Sequence, residues 1–131
     1  MSELVELYTD GASRGNPGPA SVGASLVQDG AEIATVSEAI GMQTNNYAEY
    51  SALIAGLQKA SELKLQELVV KADSELMIKQ LRGEYKVKNA NIKPLFMKVI
   101  ELAKNFKTIT YTHVRREQNK RADQLANLAL D

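Results

Sequence analysis

The pattern of apolar and polar positions divides the chain into short blocks with two different periods. Leu4-Val5-Glu6-Leu7-Tyr8-Thr9 is a compact apolar-rich run that predicts a strand. It runs into Asp10-Gly11, and Gly11 to Pro19, rich in Gly, Pro, Ser and Asn, reads as a loop. Val22 to Val27 and Ile33 to Ile40 predict two more strands, joined across Asp29-Gly30, a dipeptide suited to a two-residue hairpin. The period then changes. Thr44-Asn45-Asn46 offers caps for a helix, and Tyr50, Leu53, Ile54 and Leu57 follow at helical spacing. Leu68 to Ala72 predicts a buried strand and Ser74 to Leu81 a short helix. Ile92 to Asn105 predicts a longer helix with Pro94 in its first turn, where proline is tolerated. Thr108 to Val114 predicts a last strand, and Gln118 to Leu130 a closing helix with Ala122, Leu125, Ala126 and Ala129 on one face. The order β-β-β-α-β-α-α-β-α implies an α/β fold: an antiparallel three-strand meander, then alternating units, giving a mixed sheet with helices on its faces.

Composition sets limits on this picture. A chain of 131 residues is one domain's worth and long enough to bury an apolar core without staples. It has no cysteine, which excludes disulfides and thiolate metal sites and points to a reducing compartment. No apolar run approaches the length of a membrane span, and the first residues lack the basic-then-apolar order of a leader. A cytoplasmic protein with no membrane partner is the expectation. The net charge is zero, but residues 1–65 hold 3 Lys/Arg against 8 Asp/Glu, while residues 66–131 hold 13 against 8. That balance argues against an indiscriminate DNA coater, yet permits a site that needs both cations and phosphates.

Four acids fall where ligand sites gather in α/β sheets, at strand ends and helix starts. Asp10 ends the first predicted strand, Asp73 ends the fourth, Glu49 sits in the first turn of the first helix and Asp123 early in the last. If strands one and four are parallel neighbours, Asp10 and Asp73 come together. Each acid also has a plain structural reading. Asp10-Gly11 fits a turn, Glu49 fits a capping box with Asn46, Asp73 fits a cap on the following helix, and Asp123 fits a surface charge near Lys120. Glu49 is the hardest to explain this way, because it shares a stripe with Ala52, Leu53 and Gly56, and a carboxylate on an apolar stripe needs a partner.

The stretches Tyr8-Thr9-Asp10-Gly11-Ala12-Ser13-Arg14-Gly15-Asn16-Pro17-Gly18-Pro19, Thr44-Asn45-Asn46-Tyr47-Ala48-Glu49-Tyr50, Ala72-Asp73-Ser74-Glu75 and Asn119-Lys120-Arg121-Ala122-Asp123-Gln124-Leu125-Ala126 together resemble the type 1 ribonuclease H family. The resemblance runs in order along nearly the whole chain. It implies one domain over residues 1–131 with a mixed five-stranded sheet, a three-strand antiparallel meander plus two parallel strands, flanked by helices. It implies that Asp10, Glu49, Asp73 and Asp123 are the catalytic acids. Asp10 would bridge two Mg²⁺ ions, for which Mn²⁺ can substitute. Asp123 would complete one site, and Glu49 and Asp73 would lean toward the other. Oxygen ligands suit such hard cations, and two of them would clamp an in-line displacement at phosphorus. The implied reaction is endonucleolytic hydrolysis of the RNA strand of an RNA–DNA hybrid, leaving 5′-phosphate and 3′-hydroxyl ends. Gly11, Asn16, Asn45, Asn46 and Ser74 are the expected substrate contacts, because RNA is distinguished at a 2′-hydroxyl that both donates and accepts. Of Asn45 and Asn46, one is expected to cap the helix and the other to bind.

Two departures from the family pattern matter. Many relatives carry a His in a flexible loop before the last acid; here the sole histidine, His113, falls in a predicted strand, and the loop Arg115 to Gln118 is short. The reading is therefore no loop His, a lesser role for His113, and Glu117 as an alternative metal-proximal acid. The basic, aromatic-rich insertion of some relatives is also missing: there is no Trp, and Arg82 to Lys93 is short, though Lys86, Lys88 and Lys93 could touch a DNA backbone. No separate hybrid-binding domain is expected, and a monomer is the default. The competing functions are a related nuclease that also cuts double-stranded RNA, and a catalytically weak nucleic-acid-binding domain.

Overall fold

The computed structural model describes residues 4–131. Strands β1 (Leu4–Ser13), β2 (Gly18–Gln28) and β3 (Ala31–Gln43) form the expected meander. Helix α1 (Asn45–Glu62), strand β4 (Glu67–Ala72), helices α2 (Glu75–Leu81) and α3 (Lys93–Ala103), strand β5 (Thr108–His113) and helix α4 (Lys120–Leu128) follow. The sheet order is β3-β2-β1-β4-β5. The β1–β2 and β2–β3 pairs are antiparallel, and β1–β4 and β4–β5 are parallel. The five-stranded mixed sheet and the order of elements agree with the sequence reading.

The boundaries differ in one place that bears on the site. Gly11, Ala12 and Ser13 are strand rather than loop, paired with Val22, Ser21 and Ala20. Pairing of β1 with β4 stops earlier, at Thr9–Ala72. Asp10 is therefore still held by β2, opposite Gly23, just beyond the last β1–β4 pair. The turn is confined to Arg14–Pro17, because antiparallel pairing can satisfy the backbone of small polar residues as well as that of apolar ones.

The core lies between one face of the sheet and the helices α1 to α3. Val5 and Leu7 of β1 and Leu68 and Val70 of β4 meet Tyr50, Leu53 and Leu57 of α1, all fully or almost fully buried. These are the alternate residues of each strand and the i, i+3, i+7 residues of the helix, as the two periods require. Helix α4 covers the opposite face over β1, β2 and β3. It is pinned there by Ser21 and Ser37, whose hydroxyls donate to the Ala126 and Leu125 carbonyls at 2.5 Å. Bonds of this kind satisfy carbonyls near a helix end that have no partner within the helix.

Two glycines let the helices reach the sheet. A β-carbon on Gly11 would lie 2.2 Å from the Ala48 carbonyl carbon in α1. One on Gly23 would lie 2.2 Å from the Ala122 carbonyl oxygen in α4. Gly23 is the residue paired with Asp10, so both close approaches occur next to that acid.

Candidate active site

The acids converge through four elements. Asp10 comes from β1, Glu49 from the first turns of α1, Asp73 from the residue after β4, and Asp123 from the first turn of α4. Ligand oxygens of Asp10, Glu49 and Asp73 lie within 4.8 Å of one another. Asp123 is not part of that 4.8 Å group, but its carboxylate is among the neighbours that raise Asp10. All four line one open cleft of about 930 Å³.

The plain structural readings of these acids fail one by one. The α1 cap is Thr44, whose Oγ1 accepts from the Tyr47 N–H at 3.2 Å. Asn45 and Asn46 are already helical, so neither caps, and Glu49 has no capping box to complete with Asn46. The α2 cap is Ser74, whose Oγ accepts from the Met77 N–H at 3.3 Å, which leaves Asp73 without that duty. Asp10 is not in a turn; it is 6% exposed within a strand. Asp123 faces the cleft rather than open solvent.

Electrostatics mark the site further. Burial, then the charges of Asp73 and Asp123, push Asp10 up from its ordinary 3.8 to about 8. Glu49 is raised well above the usual carboxylate range, chiefly by burial and then by Asp10 and Asp73. Glu49 Oε1 accepts from the Gly11 N–H at 3.1 Å. Its other oxygen is buried with no hydrogen-bond partner among the described residues. A buried lone pair of this kind is costly. Crowded carboxylates with an unused buried oxygen suit a hard divalent cation, which would take oxygen ligands and relieve the repulsion.

The expected substrate contacts are partly brought in. Gly11, Asn45, Asn46 and Ser74 line the cleft. Asn16 is not among the lining residues; its Oδ1 accepts from the Asn45 N–H at 3.1 Å and so holds the start of α1. Gly11 also acquires packing duties, since its missing side chain admits α1 and its N–H holds Glu49. His113 ends β5 as the strand reading requires, and its ring lines the cleft with Nδ1 3.9 Å from Glu75. Glu117 lies in a 3₁₀ turn, Arg116–Gln118, and lines the cleft as well.

Arg14, Arg115, Arg116, Leu76 and Asn127, which sequence reasoning does not single out, also line the cleft. The Arg115-Arg116 doublet, next to a predicted strand end and just before an acid-bearing helix, was a usable signal for phosphate contacts. Leu76 and Asn127 carried no such signal, because a helix turn must be placed before its outward residues can be assigned.

A family model described as reverse transcriptase-like matches residues 8–129. A ribonuclease H from Pseudomonas putida is 36% identical over the whole of this chain and 96% of its own length. The chain belongs to the ribonuclease H family. Ribonuclease HI of Halobacterium salinarum is 45% identical over 97% of the chain. The chain spans 64% of the length of that relative, and 35% of mycobacterial relatives with 43% identity. Among solved structures in the family, LC11 ribonuclease H1, isolated from compost and crystallised in complex with an RNA/DNA hybrid, superposes with a TM-score of 0.92. That match has 40% identity and covers 97% of this chain and 96% of the other.

Proposed function

We propose that this chain is a ribonuclease H that hydrolyses the RNA strand of RNA–DNA hybrids with two divalent cations, Mg²⁺ or Mn²⁺, held by Asp10, Glu49, Asp73 and Asp123. One observation carries the reading: the carboxylates of Asp10, Glu49 and Asp73, from separate elements, meet within 4.8 Å, and one Glu49 oxygen is buried with no hydrogen-bond partner among the described residues. Membership of the family and the likeness to a hybrid-bound relative support it. Bound divalent ions would supply Lewis acidity, activating water and stabilising the leaving 3′ oxygen.

The chain's own groups do the rest. Asp10 lies between Asp73, Glu49 and Asp123, and is the natural shared ligand. The Gly11 N–H fixes one Glu49 oxygen and leaves the other for metal. The Asn45 and Asn46 amides both donate and accept, which recognition of a ribose 2′-hydroxyl requires. The Ser74 oxygen already accepts from its helix, so its proton remains available to a substrate oxygen. Arg115 and Arg116 place positive charge along the cleft for phosphates, while Arg14 on the same wall is paired with Asp131.

The test is cleavage of end-labelled RNA–DNA hybrid, RNA duplex, DNA duplex and single-stranded RNA in Mg²⁺, Mn²⁺ or chelator. The expected outcome is metal-dependent internal cleavage of RNA in the hybrid, with 5′-phosphate products. Asp73→Asn is expected to lose turnover by about 10³-fold or more while still binding hybrid, since it removes an interaction with the reacting centre. Cleavage that survives chelator, or none in either metal, overturns the proposal. Equal cutting of RNA duplex would favour the broader nuclease.

A further inference from the structure

Asn119 is buried beside the acids but has no part in the chemistry proposed above. It is 1% exposed and stands at the N-cap of α4. Asparagine is favoured there because its side chain can accept from a free helix N–H. This one makes no such bond. Its Nδ2 instead donates to the main-chain oxygen of Thr9 at 2.9 Å, across 110 positions of sequence. Thr9 immediately precedes Asp10 and is the last residue of the β1–β4 pairing. On its other side, the Asn119 carbonyl accepts from the Asp123 N–H at 3.1 Å. A single residue thus links the backbone next to Asp10 to the backbone of Asp123.

Stability alone does not explain the choice of side chain. The Asn119 Oδ1 is buried without a partner among the described residues, and so is the Thr9 Oγ1. A leucine of similar volume would fill the space without burying an unpaired carbonyl. Leucine has no donor for Thr9, so the start of α4 would lose its tie to β1, while the bonds from Ser21, Ser37 and Glu32 hold only residues farther along the helix. The contact between α4 and the sheet near this point is made on glycine at Gly23, which offers no side chain to set position.

We infer that Asn119 is a positioning residue: its tether to Thr9 sets the separation of Asp10 and Asp123 and thereby the affinity for divalent cation. The inference rests on the metal-dependent reading of the site. Groups that orient metal ligands typically change metal affinity by about 10–100-fold when removed.

The test is an Mg²⁺ titration of the substrate-free chain, followed through amide NMR shifts such as that of Gly11, at a temperature where every variant is folded. Asn119→Leu is expected to raise the Mg²⁺ dissociation constant about tenfold or more, with cleavage partly restored at high Mg²⁺. Leu125→Ala removes a buried side chain from the same helix and leaves the tether intact. It is expected to lower the melting temperature while keeping the Mg²⁺ dissociation constant within about twofold, since packing loss alone leaves the ligands in place. If Asn119→Leu does not fold, Asn119→Ser, which also lacks the reach to Thr9, gives the same readout. Wild-type affinity in the folded Asn119 variant overturns the inference and leaves the proposed function standing. Equal weakening by Leu125→Ala overturns it too, because general loosening would then suffice. A wild-type chain that binds no divalent ion overturns both.

Discussion

Glu49 and Asp10 are acids in a place where folding alone would not put them. Both are held above their ordinary range, Asp10 at about 8, first by burial and then by nearby carboxylates, Asp73 and Asp123 for Asp10, and Asp10 and Asp73 for Glu49. The folded metal-free chain therefore keeps protons that the unfolded chain releases above pH ~4. Stability falls with rising pH wherever the native state binds more protons. In chelator the contribution of these acids is fully present below pH ~4 and is lost as pH rises toward 8. Metal requires the ionised form, so Mg²⁺ should protect more at pH 8 than at pH 5. Calorimetry across this range is expected to show a falling melting temperature in chelator and a growing Mg²⁺ shift. Asp10→Asn should flatten the slope, stabilise the metal-free chain at pH 8 by about 1–3 kcal/mol and abolish cleavage. A melting temperature for that variant below wild type at pH 8 in chelator would show that Asp10 is not under electrostatic strain. His113 differs from these acids: it is exposed, and its nearest acidic neighbour is Glu75, 3.9 Å away. His113→Ala is expected to keep kcat within about fivefold, well short of the 10²–10⁴-fold contribution of a general acid or base. A loss as deep as that of Asp73→Asn would give His113 such a role.

At the level of elements, the site depends on how closely two helices approach β1. Gly11 admits α1 and Gly23 admits α4, each at a point where a β-carbon would meet backbone at 2.2 Å. Backbone cannot step aside as a side chain can, so Gly23→Ala must lift α4 and carry Asp123 away from Asp10. Overpacking of this kind costs about 1–3 kcal/mol. The expected result is a lower melting temperature together with a fall in kcat of at least about tenfold, measured at a temperature where the variant is folded. An active, equally stable Gly23→Ala chain would show that the close approach is not needed. A buried polar clamp supports the other helix: the Tyr50 hydroxyl donates to Gln80 Oε1 at 2.6 Å, tying α1 to the last turn of α2. The sequence showed the helical stripe that contains Tyr50, but its partner Gln80 lies on another helix, and no periodicity connects the two.

For the molecule as a whole, zero net charge conceals an acidic first half and a basic second half. Folding places acids from both halves at the centre of the cleft and arginines on its walls. Hybrid affinity should then fall with salt, with a slope of log K against log salt near −0.9 for each phosphate contacted. Lys86 and Lys88 are exposed between α2 and α3. Replacing both with alanine is expected to shrink that slope by about one to two units and to weaken hybrid binding without changing kcat. An unchanged slope would remove the segment from the DNA-strand contact. Charge totals by segment were legible in the chain. Their sorting into a centre and a wall was not, because it depends on β4 lying between β1 and β5.

The linear order of residues determined the elements and the three-strand meander, since period and turn dipeptides are local properties of a chain, and its likeness to a known family singled out the four acids proposed as metal ligands. It also determined that Glu49 was anomalous, because a carboxylate on an apolar stripe stands out without coordinates. The tertiary structure decided the rest. Only pairing could show that β1 continues past Asp10 to Ser13. Only packing could show that Thr44 and Ser74 are the caps, which frees Glu49 and Asp73. Gly23, Asn119 and Gln80 became meaningful through partners up to 110 positions away. Contacts at that range are set by how whole elements pack, and a sequence records them only as isolated residues with nothing nearby to explain them.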